Sequence, residues 1–240
     1  MSAHPSPTSS ERAPQRFTLA IELSNPSASP KAHAVALFVV DGSNALVGSM
    51  AIPAGVRSSD ALMGVIETLC AEHGCAPSDI TRLLVSIGPG GYTALRISTT
   101  TAKVLAETLG CSLVAVPTAR VGACSIKPEH RPALIALASK NERAHCSIVN
   151  ADGSIESVGV IDASALGAYN LKSIVGDGHL PGSFVEQGEK LGVQIMALVL
   201  DARRCLEAGA GIEPISPDAL RPIYASEPDA VPQWRARTHD

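Results

Sequence analysis

A glycine-rich turn is the part of the sequence whose residue types and spacing come closest to a chemical motif. Gly88, Gly90 and Gly91 lie between an apolar stretch and a long helical pattern, so their backbone amides could cradle a phosphate at a helix N-terminus. A P-loop also needs a lysine after its last glycine, and the first lysine here is Lys103. Thr93 stands where a dinucleotide fingerprint needs glycine. The favoured interpretation is a tight turn that allows close backbone approach, with phosphate binding as the alternative.

Two acidic positions could assist such a site. Glu22 ends the first predicted strand, where a carboxylate can hold a metal ion beside a phosphate, although a solvated or capping carboxylate is the commoner use. Gly176-Asp177-Gly178 could form a second nucleotide loop. Turns use glycine and aspartate freely, so the tripeptide alone does not define a site.

Histidines and cysteines give no metal-binding pattern. The seven histidines include no H-x-x-x-H or H-E-x-x-H pair, and the six cysteines include no C-x-x-C pair. Most cysteines lie in apolar runs, which is typical of buried free thiols in a reducing compartment. We therefore predict no metal site and no disulfide framework. A serine or cysteine nucleophile stays open, because its partners meet in space and not in sequence.

Composition excludes several classes of protein. The 240 residues are 45% hydrophobic but only 3% aromatic, and the net charge is −4. A net negative charge gives the chain no overall electrostatic attraction to nucleic acid. No apolar run approaches the roughly 18 residues of a membrane helix, and the N-terminus lacks the apolar region of a signal peptide. We expect a cytoplasmic protein that does not contact membranes.

Two predicted helices flank the strand that leads into the glycine turn. The first covers about residues 59–73, and its apolar stripe predicts a buried face. The second covers Tyr92 to Leu109 and has small residues at every fourth position, namely Ala94, Ser98, Ala102 and Ala106. Such a row lets another element approach closely. From spacing alone, packing against the chain's own first helix is favoured over docking of a partner helix.

The chain divides into two lobes between two tails. Residues 1–15 are too polar to order themselves, and residues 227–240 are also predicted to be loose. A three-strand pattern in the N-terminal lobe, residues 16–126, recurs in a divergent C-terminal lobe, residues 127–226. The boundary is the proline-rich stretch Lys127 to Pro132. A predicted helix at about 193–208 can pack back on the first lobe.

The glycine turn and the residues after it resemble the signature of a known family. Gly88 to Ile97, then Thr101-Ala102-Lys103 and Ala115-Val116-Pro117-Thr118, are similar to the GPGSFTGLRIG…AKGLA…GVST pattern of the TsaB (YeaZ) family. The resemblance implies a duplicated actin/Hsp70-like (ASKHA, ribonuclease H-like) α/β fold with two lobes. It also implies a non-catalytic scaffold that activates the transferase TsaD in forming N6-threonylcarbamoyladenosine at position 37 of tRNA.

The resemblance also implies partners and an interface. The partners would be a TsaD-like protein, a TsaE-like ATPase and a second copy of this chain through the same helices. ATP or ADP would bind only in the complex with TsaD, and tRNA would not bind directly. The chain would have no catalytic residue of its own and would act as a subunit of the transferase complex. The implied interface residues lie on the two helices: Leu62, Ile66, Tyr92, Ala94, Arg96, Ser98, Ala102 and Ala106.

Departures from the family pattern affect the region between the lobes. The family's Asp-Ala-Arg-x-x-Glu-Val-Tyr is replaced by the sequence from Ala138 to His145, and Arg57 to Asp60 lack the family's histidine. These losses weaken any claim of a working site between the lobes and leave the surface of the two helices intact. A second hypothesis is still kept, a small actin-like ATP-dependent enzyme (kinase or carbamoyltransferase) with Glu22 and the Gly88–Gly91 turn at the cleft. Arg96 opposes the dipole at its helix N-terminus, so we expect a compensating carboxylate inside the chain or across an interface.

Overall fold

A computed structural model describes residues 15–28, 33–40, 43–53 and 55–225. Residues 1–14 of the tail predicted over residues 1–15, and the whole of the tail predicted over residues 227–240, lie outside the described residues. None of the helices in the described ranges is long and apolar enough to cross a membrane.

The first lobe is built on a five-stranded mixed sheet. Its strands are β1 (Phe17–Glu22), β2 (Ala34–Val39), β3 (Leu46–Ala51), β4 (Ile80–Ser86) and β5 (Ser112–Val116). The spatial order is β3-β2-β1-β4-β5. Strands β1, β2 and β3 pair antiparallel, whereas β4 and β5 run parallel to β1. All side chains of β1 and β2 are buried, which explains why β2 is a continuous apolar run and why β1 has only Thr18 and Glu22 as polar residues.

Three helices connect and cover this sheet. They are α1 (Ser58–Glu72), α2 (Tyr92–Leu109) and the short α3 (Thr118–Ala123). Gly110 ends α2 in the left-handed conformation, which glycine adopts without steric cost. Helix α2 packs mainly on β4, and the pair α1 and α2 covers one face of the sheet.

The second lobe repeats the topology of the first. Its strands are β6 (Ala133–Ala138), β7 (Arg143–Val149), β8 (Ile155–Asp162), β9 (Ser173–Gly176) and β10 (Gln194–Ala197), with α4 (Gly182–Lys190) between the last two. The order β10-β9-β6-β7-β8 again joins three antiparallel strands to two parallel ones. The repeated topology confirms the predicted duplicated two-lobe α/β fold.

The helix predicted at about 193–208 is wrong. Residues 194–197 form β10, which pairs parallel with β9, and only Cys205–Ala208 form a short helix, α5. A short apolar run is compatible with a buried strand as well as with a helix. Here it forms a strand, because it can pair with the free edge of β9. Helix α5 and the 3₁₀ helix Ala202–Arg204 contact β1 of the first lobe. An apolar cluster with members from both sheets lies between the lobes.

Candidate functional site

The glycine turn is packed against two other backbone segments. The Gly91 N–H donates to the Ser24 carbonyl oxygen at 2.7 Å, and a Cβ placed on Gly90 would lie 2.0 Å from that oxygen. Gly88 has φ +103°, and a Cβ there would lie 2.3 Å from the Ile223 carbonyl oxygen. The glycines are therefore required for close backbone approach, and the Gly91 amide is already used by the chain itself.

Glu22 is fully buried at the end of β1. Its Oε1 accepts hydrogen bonds from the Ser24 backbone N–H at 2.7 Å and from the Ser24 hydroxyl at 2.6 Å. Its Oε2 has no hydrogen-bond partner within the described ranges. Burial raises the pKa of this carboxyl from 4.5 to about 7, and the hydrogen bonds from Ser24 only partly oppose the effect. Of the two ordinary uses, a solvated or a capping carboxylate, the structure shows the second, because Glu22 caps a buried turn.

Asp177 joins the two lobes. Its Oδ2 accepts from the Asn25 side-chain amide at 2.7 Å and from the Ala138 N–H at 3.2 Å. The neighbouring Gly178 N–H donates to the Ser27 carbonyl at 2.9 Å. The loop after β1 and the Gly176-Asp177-Gly178 loop therefore contact each other directly. The sequence makes Gly176-Asp177-Gly178 a candidate nucleotide loop, and here its polar atoms bind the loop after β1 across the junction between the lobes.

The predicted interface residues are mostly inside the first lobe. Six of the eight are at most 8% exposed: Leu62, Ile66, Ala94, Ser98, Ala102 and Ala106. The sheet beneath them presents large apolar side chains such as Leu83 and Val85, which α1 and α2 must cover. The small residues let α2 approach β4 closely. This corrects the residue assignment, since only Tyr92 and Arg96 of the predicted set are exposed.

A different set of side chains, on the same two helices and on the loop just before α1, faces outward. We define the outer helix face as Val56, Met63, Tyr92, Arg96 and Val104. The four apolar or aromatic members are 43–54% exposed. The α2 members span an arc of about 120° around the helix, on the side away from the buried small residues. A cleft of about 560 Å³ between the N-terminal ends of α1 and α2, lined in part by Val56 and Tyr92, adjoins this face.

Arg96 packs on the Tyr92 ring and has no internal carboxylate partner among the described residues. Its guanidinium donates to the Tyr92 hydroxyl at 3.0 Å and lies 5.5 Å from the centre of the Tyr92 ring. The Tyr92 ring in turn lies 5.0 Å from the Tyr224 ring. A carboxylate that compensates Arg96 would therefore have to come from outside this part of the chain.

Two residues that make these side-chain contacts, Asn25 and Tyr224, were not identified from sequence patterns. Asn25 and Tyr224 lie in irregular segments, and each meets its partner across a long stretch of chain. Nothing in local periodicity could have identified them. No group of three or more His, Cys, Asp or Glu side chains that could hold a metal ion is found in the part of the chain that the structure describes.

Comparisons with known proteins agree with this architecture. The family model "TsaD: tRNA N6-adenosine threonylcarbamoyltransferase" matches residues 53–198. No curated protein matches. YeaZ from Pseudomonas aeruginosa is 19% identical, with a TM-score of 0.67 over 87% of this chain and 99% of that one. A crystal structure of an uncharacterized protein with similarity to peptidase YEAZ, also from P. aeruginosa, has the same identity and a TM-score of 0.69 over 88% and 100%.

The two kinds of match support different statements. At 19% identity, the likeness to the YeaZ structures establishes the fold. The match to the family model extends over more than half of the sequence. The chain therefore belongs to the TsaD family of tRNA N6-adenosine threonylcarbamoyltransferase proteins and has, within it, the two-lobe fold of YeaZ (TsaB).

Proposed function

We propose that this chain is a TsaB-type scaffold, which binds TsaD and activates it in the formation of N6-threonylcarbamoyladenosine at position 37 of tRNA. Membership of the family supports a role in this tRNA modification. The observation that carries the scaffold role is the outer helix face, which leaves large apolar side chains of α1 and α2 in contact with solvent.

The chemistry of this face suits a protein partner. Covering exposed apolar side chains with a partner lowers the free energy of the complex. Tyrosine and arginine are also common at the centres of interfaces. Arg96 is held in place by Tyr92 and has no carboxylate partner among the described residues. An acidic side chain on the partner could form a charge-assisted hydrogen bond with Arg96. The adjoining cleft offers a place for a partner side chain.

The polar contacts at the junction between the lobes support a non-catalytic role for this chain. Asp177 and Asn25 hydrogen-bond each other there, and Glu22 binds Ser24. These polar groups stabilise the chain's own loops. In the proposed complex, ATP or ADP binds only when TsaD is present, a TsaE-like ATPase joins the assembly, and tRNA contacts the other subunits. Without TsaD, two copies of this chain pair through the same face.

A substitution on the outer helix face tests the proposal. Mixed with the TsaD of the same organism, the wild-type protein should elute with it as one species on gel filtration. Val104→Glu places a charge on the apolar face and should weaken binding by at least about tenfold, because an interface charge without a partner loses its hydration. The dissociation constant, measured by calorimetry, gives the size of the effect.

A matched control uses the same substitution elsewhere. Val199 is 43% exposed and lies in the second lobe beyond β10, so Val199→Glu should leave the affinity for TsaD unchanged. Both variants should retain the wild-type melting temperature, because surface substitutions rarely change stability much. Equal affinity of Val104→Glu and wild type would show that TsaD docks elsewhere.

The alternative function, a small ATP-dependent kinase or carbamoyltransferase, is favoured by one observation. Glu22 is buried near the lobe junction with a raised pKa and an oxygen that lacks a partner among the described residues, and perturbed carboxyls are frequent in active sites. Calorimetry with ATP and Mg²⁺ on the isolated chain separates the two functions. Micromolar binding that is lost in Glu22→Gln would replace the scaffold proposal, whereas the scaffold proposal expects no heat of binding.

A further inference from the structure

Two cysteines meet at the C-terminal end of α1. The Cys75 N–H donates to the Cys70 carbonyl oxygen at 2.9 Å, and the Gly74 N–H donates to the Ala71 carbonyl oxygen at 3.2 Å. Gly74 has φ +62°. These two bonds around a left-handed glycine form a Schellman motif, in which the side chains at the positions of Cys70 and Cys75 contact each other.

The backbone hydrogen bond limits the distance between the two cysteines. The path from one Cα to the other crosses a carbonyl group, the 2.9 Å hydrogen bond and one N–Cα bond. With standard bond lengths, the two Cα atoms are at most about 7 Å apart. Disulfides join Cα atoms that are about 4.4–6.8 Å apart. The helix end therefore holds the two residues in the range that a disulfide can bridge.

The two thiols influence each other. The neighbouring Cys75 lowers the pKa of the Cys70 thiol, and the neighbouring Cys70 raises the pKa of the Cys75 thiol, whose Sγ donates to the Ala76 carbonyl oxygen at 3.6 Å. Both residues are reduced here, and they are 8% and 6% exposed at the edge of the first-lobe core. The last turn of a helix opens more readily than its middle, which gives a small oxidant access to them.

We propose that Cys70 and Cys75 are a dithiol site that forms a reversible intramolecular disulfide with a low-molecular-weight disulfide such as glutathione disulfide as the oxidant. This inference does not rest on the proposed function. The Cys70 thiolate attacks one sulfur of glutathione disulfide, which forms a mixed disulfide and releases one glutathione thiolate. Cys75 loses its proton to water and attacks the Cys70 sulfur, which expels the second glutathione. Two electrons pass from the protein thiols to glutathione.

The bond would close a short ring across the end of α1. Such a ring removes conformations from the unfolded chain, and we expect the melting temperature of the oxidised protein to rise by about 5 °C. Dithiothreitol should reverse the rise.

A single tryptic peptide tests the site. Cleavage after Arg57 and Arg82 releases residues 58–82, which contain Cys70, Cys75 and no other cysteine. Folded wild-type protein is treated with glutathione disulfide, alkylated with iodoacetamide and then digested. We expect this peptide without alkylation and about 2 Da lighter than the reduced form, and with two alkyl groups when dithiothreitol precedes the alkylation. Two alkylated cysteines after oxidation, or glutathione retained on the peptide, would overturn the proposal.

Two variants give an independent readout. Cys75→Ser should abolish the rise in melting temperature, whereas Cys111→Ser, a matched change outside the pair, should retain it. Loss of the rise in both variants would contradict the assignment. If Cys75→Ser does not fold, the mass of the wild-type peptide still decides.

Discussion

Gly90→Ala is expected to lower the free energy of unfolding by about 3 kcal/mol or more, because the new Cβ would meet backbone atoms that cannot move independently. It would lie 2.0 Å from the Ser24 carbonyl oxygen and 2.8 Å from the carbonyl carbon. Moving Ser24 away would break its 2.7 Å hydrogen bond from the Gly91 N–H and disturb the two hydrogen bonds that it donates to Glu22. Urea unfolding followed by far-UV circular dichroism measures the loss.

The same substitution in the neighbouring helix should have the opposite sign. Gly64 is exposed in α1, and a Cβ there would meet no atom within 4 Å. Alanine favours the helix over glycine, so Gly64→Ala should raise the free energy of unfolding by about 0.5–1 kcal/mol. If Gly90→Ala retained wild-type stability, the contact between the glycine turn and the loop after β1 would not exist in solution.

The second large effect is a dependence of stability on pH that Glu22→Gln should remove. The carboxyl of Glu22 has a pKa of about 7 when folded, against an ordinary value of 4.5. Below pH 4.5 both states hold the proton, so the group has no effect there. Between pH 4.5 and 7 only the folded state keeps the proton, and stability falls as the pH rises. Above pH 7 the full loss is about 3 kcal/mol.

Comparison of the variant with wild type isolates this effect. Glutamine carries no charge, so the stability difference between Glu22→Gln and wild type should move in favour of the variant by about 3 kcal/mol between pH 4.5 and pH 8. Glu67 is exposed on α1, and Glu67→Gln should show a nearly constant difference over the same range. A constant difference for Glu22→Gln as well would mean that Glu22 is ionised in the folded protein. Urea unfolding at each pH supplies the values.

Local sequence determined the elements that carry strong patterns. The predicted limits of α2, Tyr92 to Leu109, are those observed, because a glycine turn precedes the helix and Gly110 ends it. The repeated strand pattern predicted two lobes of the same topology, since continuous apolar runs bounded by turn residues form buried strands. The stretch from Gly88 to Ile97 carried the family resemblance, and the family match includes it.

Only the tertiary structure decided what covers each surface. Four-residue spacing placed Ala94, Ser98, Ala102 and Ala106 on one side of α2, but spacing does not reveal whether a sheet or a partner lies there. The chain's own β4 covers that side, and the outer helix face remains exposed. The burial of Glu22, the bond from Asn25 to Asp177 and the contact of Tyr92 with Tyr224 depend on segments far apart in the chain. Periodicity extends over a few turns of one element, whereas burial and charge at a site depend on which elements pack together.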